Sequence, residues 1–382
     1  MKIIEIIPVM KPLEGEVNLP GSLSYTTRAL ALAFLTPDPV KILNSAQCDD
    51  SSVMMDCLEK LRLGDCEMNI RLSGRTARTI LALACISPGK KIINCDEAFK
   101  KRPMTDLVDS LRSLGAEIEY LEREGFLPLR VLSSSLNSGV VQVKGDVSSQ
   151  FLSALLMIAP KVGLEIEVDG ELSSKPFVDM TIEIMKDFGV NVQNQNYRNF
   201  KVEGAYSCER YTVEGDATAA SYFLALNAIT GSNVKIIGLN NNSKQGDIIF
   251  EEIINSTESS FDMKNCQDIV PTVAVMAAFA KGETHLFGLK NLAFKESNRV
   301  ESVASELRKM GIKVETGNDF MKICGGKPHG ALIDPHGDHR IAMAFAIAGL
   351  KIPGILIQNP EVVSKSFPNF FEVLKSLKVK IL

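Results

Sequence analysis

A repeated helix-and-strand pattern constrains the fold of this 382-residue chain more than any other feature of its sequence. Six times, a polar or charged start precedes an apolar, alanine-rich stretch, and a short β-branched or apolar run follows within a few residues. The clearest copy runs from Gly145 to Pro160, where Ser148, Ser149 and Gln150 precede an almost entirely apolar body. Because a surface helix keeps a polar face, such stretches predict helices that are buried on all sides.

The pattern gives definite bounds for these elements. The other five predicted buried helices are 24–35, 76–86, 216–230, 268–280 and 338–350. The strands predicted after the six helices are 40–43, 91–94, 164–168, 234–237, 284–287 and 355–357, and a further strand is predicted over 3–7. Helix is therefore followed by strand in each of six repeats.

A second, amphipathic type of helix alternates with the buried type. In residues 106–120 an amphipathic body ends at a glycine, and an alternating strand follows. The other copies are 55–70, 181–192, 303–315 and 371–382, with a degenerate copy at 250–263. Gly64, Gly115, Gly189 and Gly311 fit the left-handed residue that ends a helix. The period is too irregular for a solenoid, so we predict six globular βαβ-type units.

The length of the chain indicates two domains, because 382 residues are many for one core and suit two sets of three units. We predict an α/β protein in which residues 19–212 form one domain. Residues 1–18 and 213–382 are expected to form the other. No flexible linker is evident, so short crossings should join the two.

Composition excludes several classes of function. A net charge of −4, no tryptophan and no basic stripe argue against nucleic-acid binding. The chain lacks an apolar run of transmembrane length and a secretory signal, so we expect a cytoplasmic protein that does not bind membranes. Its eight cysteines and four histidines form no metal-binding motif, so we expect neither a metal site nor a disulfide framework.

The polar starts of the buried helices suggest anion binding. The first backbone N–H groups of a helix are unpaired and carry partial positive charge, so Ser148, Ser149 and Gln150 could hold a phosphate. The alternative is an ordinary N-cap on a core helix. Repetition of the pattern in six helices favours the functional interpretation.

Charged residues cluster where helices begin, at Arg102, at 295–299, at 338–340 and at Lys365. Helices that share a direction would bring these groups to one surface, where cations suit phosphate and carboxylate groups. The alternative is a set of solvated charges or an ion pair such as Glu296 with Arg299.

Two carboxylates near a lysine are the acid–base candidates. Asp268 and Glu296, with Lys295 close by, could shift one another's proton affinities in a dry site. The alternative for Asp268 is a plain N-cap.

Several motifs, in this order and spacing, resemble those of the enolpyruvyl transferase family across the whole chain. They are Leu-Pro-Gly-Ser at 19–22 with Arg28, Arg102-Pro-Met, Val-Ser-Ser-Gln-Phe at 147–151, Ser174-Lys-Pro-Phe, Glu-Gly-Asp-Ala at 214–217, Asp268, Asn291 with Lys295 to Arg299, Asp338-His-Arg340, and Lys365-Ser-Phe-Pro. The resemblance implies a two-domain inside-out α/β barrel, with three repeats per domain, helices inside and sheets outside, closing by a hinge.

The resemblance also implies a reaction. The enolpyruvyl group of phosphoenolpyruvate would pass to the 5-hydroxyl of shikimate 3-phosphate with release of phosphate, on the route to chorismate and aromatic amino acids. No metal or organic cofactor would be needed, and a monomer is expected. The sister activity on a nucleotide amino sugar is disfavoured, because Glu97 stands where that branch has a reactive cysteine.

The resemblance assigns residues to each substrate. Shikimate 3-phosphate would contact Ser24, Arg28, Ser148, Ser149, Gln150, Ser174, Asp268, Asn291 and Lys295. Phosphoenolpyruvate would contact Gly74, Arg75, Arg102, Gln150, Arg299, Arg340 and Lys365. Asp268 or Lys295 would take the hydroxyl proton, and Glu296 is the third catalytic candidate.

This chain departs from the family pattern at several positions. Leu23 replaces a lysine expected to touch both substrates, and Arg75 enters a loop that has lost an asparagine at Leu72. Phe177 stands where many relatives have tyrosine, and a hairpin before Leu72 is trimmed. We hypothesise that Arg75 partly replaces the lysine; alternatively it points to solvent. Two other functions therefore stay open: different chemistry such as elimination on a phosphorylated cyclitol, or non-catalytic binding.

Overall fold

A computed structural model describes residues 2–132, 135–146 and 148–382 of the chain. The helices are α1 (Leu23–Leu35), α2 (Asp49–Arg62), α3 (Gly74–Ala84), α4 (Thr105–Ser113), α5 (Ser149–Val162), α6 (Lys175–Asp187), α7 (Ala217–Thr230), α8 (Phe250–Asn255), α9 (Val270–Phe279), α10 (Arg299–Lys309), α11 (His339–Gly349) and α12 (Phe370–Ser376). Short 3₁₀ turns occur at Glu97–Lys101, Gly246–Ile249, Gln267–Ile269, Lys290–Phe294 and Pro360–Lys365.

The strands lie between these helices in a regular order. They are β1 (Ile3–Ile6), β2 (Glu14–Asn18), β3 (Lys41–Leu43), β4 (Cys66–Asn69), β5 (Lys91–Asn94), β6 (Ile118–Tyr120), β7 (Leu129–Val131), β8 (Gly139–Lys144), β9 (Leu164–Asp169), β10 (Val190–Gln195), β11 (Asn199–Gly204), β12 (Arg210–Thr212), β13 (Asn233–Ile237), β14 (Ser260–Asp262), β15 (Glu283–Phe287), β16 (Lys313–Thr316), β17 (Phe320–Cys324), β18 (Leu332–Ile333) and β19 (Ile355–Gln358).

The chain folds into two compact units. The discontinuous unit comprises Met1–Pro20 and Glu214–Leu382, and the continuous unit comprises Gly21–Val213. Each unit has a large hydrophobic core of its own. The substrate expected for each domain stays a prediction.

In the continuous unit, the described residues form three sheets that repeat one topology. The orders are β4-β5-β7-β6 and β8-β9-β11-β10, and in both the first pair is parallel and the other pairs are antiparallel. The third sheet has the parallel pair alone, β12 with β3. Helices α1, α3 and α5 are buried, because they offer no continuous polar face to water.

The discontinuous unit repeats this arrangement within the described residues. Its sheets are β14-β15-β17-β16, β18-β19-β1 and the parallel pair β13-β2. The C-terminal residues extend the second sheet, because Glu5 N–H donates to the Leu382 carbonyl at 2.9 Å. Helices α7, α9 and α11 are its buried helices.

Both two-stranded sheets lack the antiparallel hairpin that completes the four-stranded sheets. After α2 the chain turns at Gly64 and enters β4 of the next sheet, and after α8 it passes directly to β14. The described residues 64–72 therefore contain a strand of the next sheet and no hairpin. Because one repeat in each unit has no hairpin, the six repeats need fewer residues.

The predicted repeats are present, with shifts at some element ends. Gly64, Gly115, Gly189 and Gly311 have φ of +91°, +97°, +85° and +81°, which is the left-handed conformation predicted for them. Helix α2 begins at Asp49 rather than 55, and α6 at Lys175 rather than 181. The first turn of α2 is polar and carries no apolar periodicity, whereas that of α6 contains Pro176, which can begin a helix as well as interrupt one.

The six buried helices differ in whether a side chain caps their N-terminus, although the sequence predicted a polar start for all of them. Ser148, Asp216 and Asp338 accept hydrogen bonds from backbone N–H groups of the first turn in α5, α7 and α11. Helices α1, α3 and α9 have no side-chain cap. Val147 of the predicted motif lies outside the described residues. No helix in the described ranges combines the length and hydropathy that a bilayer crossing requires.

Candidate active site

In the discontinuous unit, the carboxylate of Asp268 lies among three cations. Arg299 Nη1 donates to Asp268 Oδ1 at 3.1 Å, and Arg340 Nη2 donates to Oδ2 at 2.8 Å. Lys295 Nζ lies 3.9 Å from Oδ1. The N-cap alternative for Asp268 is wrong, because the side chain of this buried residue faces cations and α9 has no side-chain cap.

Arg299 connects Asp268 to two further acids. Its Nε donates to Asp338 Oδ2 and its Nη2 to Glu296 Oε2, both at 2.8 Å. The Glu296–Arg299 ion pair considered as an alternative is thus present, but Arg299 is buried and only 13% of the Glu296 side chain is exposed. Burial alone would lower the pKa of Arg299; Asp338, Glu296 and Asp268 outweigh burial and raise it. The guanidinium therefore stays charged inside the protein.

Arg340 and Lys365 complete this cluster of charges. Burial opposes the charge of Arg340, but Asp268 and then Tyr222 and Asp247 raise its pKa. Lys365, at the end of a 3₁₀ turn, has its Nζ 3.9 Å from Glu296 Oε1. Asn291 lies in the 3₁₀ turn immediately before Lys295. The structure therefore gathers Lys295, Arg299, Arg340 and Lys365 around Asp268 and Glu296, while a role for Asn291 stays a prediction.

Asp247 belongs to the same region, although no sequence pattern pointed to it. It is buried in the 3₁₀ turn before α8 and accepts a hydrogen bond from the Thr218 hydroxyl. Burial, followed by the charge of Asp268, raises the pKa of Asp247 to about 7. The sequence signal was weak, because Asp247 follows a polar run that resembles a loop.

In the continuous unit, Arg28 is buried among neutral acceptors. Its Nε donates to Thr181 Oγ1 at 2.8 Å, and its Nη1 and Nη2 donate to the carbonyls of Ser24 and Phe177 at 2.9 Å. Burial, followed by the charge of Arg75, lowers the pKa of Arg28 to about 10. A bound anion would supply the negative charge that these neutral acceptors do not.

Polar helix starts lie in the same unit. Ser148 caps α5 by accepting from the N–H of Gln150 at 3.3 Å, and Ser149 is buried in the first turn. Ser174 precedes α6 with a left-handed φ of +54°. The structure confirms the N-cap interpretation of Ser148, which is compatible with an anion at the same helix end.

Gly74 brings three predicted residues together. A Cβ atom at this position would lie 3.2 Å from Arg102 Nη1 and 3.7 Å from Gln150 Oε1, so the helix start closely approaches both side chains. It would also lie 3.0 Å from Arg78 Nη1. Arg78 was not among the predicted site residues, although a single charge within the apolar stretch 76–86 was a usable signal.

The two departures from the family pattern lie in the continuous unit. Leu23 is buried in a small apolar cluster with Ala46 and Cys48. Arg75 is partly buried, and its charge is one of the causes that lower the pKa of Arg28. Arg75 is thus not a fully exposed side chain, while its substitution for the lysine stays a prediction.

Comparison with known proteins defines the family. The model of EPSP synthase (3-phosphoshikimate 1-carboxyvinyltransferase) matches residues 7–67, 62–259 and 251–374. The chain belongs to the EPSP synthase family. This membership confirms the resemblance to the enolpyruvyl transferases.

Relatives in the EPSP synthase family match along their whole length. A 3-phosphoshikimate 1-carboxyvinyltransferase of Sulfurovum sp. (strain NBC37-1) is 37% identical over 425 aligned positions, covering 99% of each chain. That of Shewanella woodyi is 36% identical over 419 positions, covering 97% of this chain and 98% of the relative. Both alignments are longer than 382 residues, so the relatives carry segments that this chain lacks.

Solved structures confirm the predicted fold class. Two structures of EPSP synthase from Acinetobacter baumannii superpose with TM-scores of 0.80 and 0.81 at 21% identity, each covering all of this chain. At this identity the similarity concerns the fold alone.

Proposed function

We propose that this chain is a transferase that moves the enolpyruvyl group of phosphoenolpyruvate to the 5-hydroxyl of shikimate 3-phosphate and releases phosphate. The observation that carries the proposal is the buried Asp268 carboxylate, held by Arg299 and Arg340 with Lys295 3.9 Å away. Relatives that share 36–37% of their residues with the chain are named for this activity. Different chemistry and non-catalytic binding are not favoured.

The Asp268 cluster supplies groups for the proton transfers of an addition–elimination reaction. In the proposed reaction, the methylene carbon of phosphoenolpyruvate gains a proton, the 5-hydroxyl oxygen attacks the neighbouring carbon, and Asp268 or Lys295 takes the hydroxyl proton. Elimination then returns a proton from the methyl group and expels phosphate. The arginines hold Asp268 in place, and Glu296, which accepts from the other terminal nitrogen of Arg299, is a second proton-transfer candidate.

Residues of the continuous unit are proposed to bind the acceptor. The start of α5 at Ser148, Ser149 and Gln150 would hold the 3-phosphate. Ser174, at the start of α6, would be a further contact of the same substrate. Ser24 and Arg28 would add contacts to the ring substituents. The neutral surroundings of Arg28 support this assignment, because a ligand anion would stabilise its buried charge.

Phosphoenolpyruvate is proposed to contact cations of each unit. The candidates are Gly74, Arg75, Arg102 and Gln150 in the continuous unit, and Arg299, Arg340 and Lys365 in the discontinuous unit. The approach of Gly74 to Arg102 and Gln150 supports the first group. A monomeric state and a cytoplasmic location belong to the same proposal, and sedimentation of the purified protein would test the former.

A phosphate-release assay tests the proposed function directly. Phosphate should appear only when both substrates are present, with one enolpyruvyl product formed per phosphate. Release from phosphoenolpyruvate alone would indicate hydrolysis and reject the transfer. No release with both substrates present would restore the alternatives of different chemistry or binding.

A further inference from the structure

Arg78 is a buried cation in the second turn of α3 that the proposed mechanism does not use. Its residue is 6% exposed, and it is the single charged side chain in the apolar stretch 76–86. A charge in such a position is costly unless its hydrogen bonds are made. The partners of Arg78 therefore indicate why the position holds arginine.

The guanidinium of Arg78 joins two separate segments of backbone. Its Nη1 donates to the Gly74 carbonyl at 3.2 Å, and its Nη2 donates to the Pro103 carbonyl at 3.0 Å. Gly74 begins α3, and Pro103 directly follows Arg102. Arg78 thus fixes the distance between the helix start and the segment that carries Arg102.

An aromatic ring holds both arginines in place. The guanidinium carbons of Arg78 and Arg102 lie 5.1 Å and 5.2 Å from the centroid of the Phe99 ring. Phe151 of α5 lies on a further side of Arg78, at 5.8 Å. These contacts connect α3, α5 and the 3₁₀ turn before Arg102 through one side chain.

The charge of Arg78 is not balanced by the protein. No carboxylate lies within ion-pair distance of it, and its Nε has no hydrogen-bond acceptor, among the residues described here. Burial, followed by the charge of Arg102, lowers the pKa of Arg78. Two adjacent cations at this helix start therefore favour an anionic ligand.

We propose that Arg78 is a positioning residue for the enolpyruvyl donor: it clamps Gly74 to Pro103 so that the start of α3 and the Arg102 guanidinium present a fixed anion site. This inference rests on the proposed function for the identity of the donor. The two hydrogen bonds of Arg78 fix the geometry of the site for any anion that binds there.

Variants of Arg78 separate positioning from simple structural support. Arg78→Gln removes the charge and one end of the clamp, and Arg78→Lys keeps the charge but cannot hold both carbonyls in one plane. Arg112→Gln is the matched control, since Arg112 stacks on Tyr120 at 5.0 Å and donates to the Ile118 carbonyl at 2.7 Å in the same unit. The measurements are Tm, KM for each substrate, kcat, and the Tm increase caused by inorganic phosphate.

The expected result is a selective change in donor binding. Arg78→Gln should raise KM for phosphoenolpyruvate by about tenfold to a hundredfold, while KM for shikimate 3-phosphate changes by less than about threefold. Arg78→Lys should give a smaller increase, and Arg112→Gln should change neither KM. Inorganic phosphate should raise Tm less in Arg78→Gln than in the parent or the control.

Each contrary result has a distinct meaning. A folded Arg78→Gln or Arg78→Lys protein with parental KM for phosphoenolpyruvate and parental phosphate stabilisation overturns the inference, even if its Tm is lower. If Arg78→Gln does not fold, the Arg78→Lys measurements decide. A parent that releases no phosphate rejects the proposed function, whereas the phosphate-stabilisation comparison still tests the clamp.

Discussion

Arg299 of the discontinuous unit and Arg28 of the continuous unit are both buried guanidiniums, but their hydrogen-bond acceptors differ in charge. Arg299 donates to the carboxylates of Asp268, Glu296 and Asp338. Arg28 donates to hydroxyl and carbonyl oxygens. The pKa of Arg299 is raised by its carboxylates against the effect of burial, whereas burial lowers the pKa of Arg28.

This difference separates two ways of building an anion site. The cluster around Arg299 is neutralised by the protein, so its geometry is held before any ligand arrives. Arg28 and Arg78 of the continuous unit donate to neutral hydroxyl and carbonyl oxygens instead, so a bound anion would supply their compensating charge. We therefore expect substitutions in the first cluster to affect catalysis and folding strongly, and those in the second to affect ligand-dependent properties.

The largest expected effect is that of Asp268→Asn on turnover. Loss of the proposed base should lower kcat by about 10² to 10⁴. The fold should also lose some stability, because Asp268 is an acceptor for buried Arg299 and Arg340. Steady-state phosphate release and urea unfolding measure the two effects. A variant with near-parental turnover would assign the base role to Lys295 or Glu296.

The next effect is a difference in folding stability between the two clusters. Asp338→Asn should lower the free energy of unfolding by about 3–5 kcal/mol, because Asp338 is fully buried and pairs with Arg299 Nε. Thr181→Val, which removes a neutral acceptor of Arg28, should cost about 1–3 kcal/mol. Equal losses in urea unfolding would contradict the distinction between the two clusters.

Stability should depend on pH through Asp247. Its folded pKa of about 7 lies above its unfolded value near 3.8, so the folded state binds more protons between these values. The free energy of unfolding should therefore fall as pH rises from about 4 to 7, by about 2–4 kcal/mol, and then level off. Asp247→Asn should remove this slope. An unchanged slope in the variant would show that other groups cause it.

The stabilisation of the protein by bound shikimate 3-phosphate should depend on Arg28 of the continuous unit. At about 100 times its dissociation constant, shikimate 3-phosphate should raise the free energy of unfolding by about 2.7 kcal/mol. Arg28→Gln should lose most of this gain at the same concentration, measured against the stability of the ligand-free variant, which itself falls because three acceptor oxygens lose their donor. Full retention of the gain would remove Arg28 from the proposed acceptor contacts.

The smallest expected effect concerns Arg75 and Leu23. If Arg75 partly replaces the missing lysine, Arg75→Ala should raise KM for phosphoenolpyruvate by about tenfold, near 1.4 kcal/mol. Leu23→Lys should lower it, although the new side chain must leave the cluster with Ala46 and Cys48. The double variant should recover much of the loss. Unaltered phosphate release kinetics in Arg75→Ala would reject the compensation.

Local sequence pattern was sufficient to predict the repeats and the glycine residues that end helices, and the family motifs named most of the proposed site residues. Apolar periodicity records which faces avoid water, so the six buried helices followed from local pattern. The family motifs then assigned roles that stay predictions. The start of α2 could not be predicted in the same way, because its polar first turn carries no such periodicity. The start of α6 was missed because it contains Pro176, which can begin a helix as well as interrupt one.

The pairing of the charged residues, in contrast, is a property of the folded chain. Asp268 and Arg340 are 72 positions apart in the chain, and Arg299 forms ion pairs with carboxylates from three segments. From the sequence alone, Asp268 could equally have been a plain helix N-cap. Partner choice depends on packing and desolvation between distant segments, which local sequence does not encode. For that reason the partners of Asp247 and Arg78 became evident only in the folded protein.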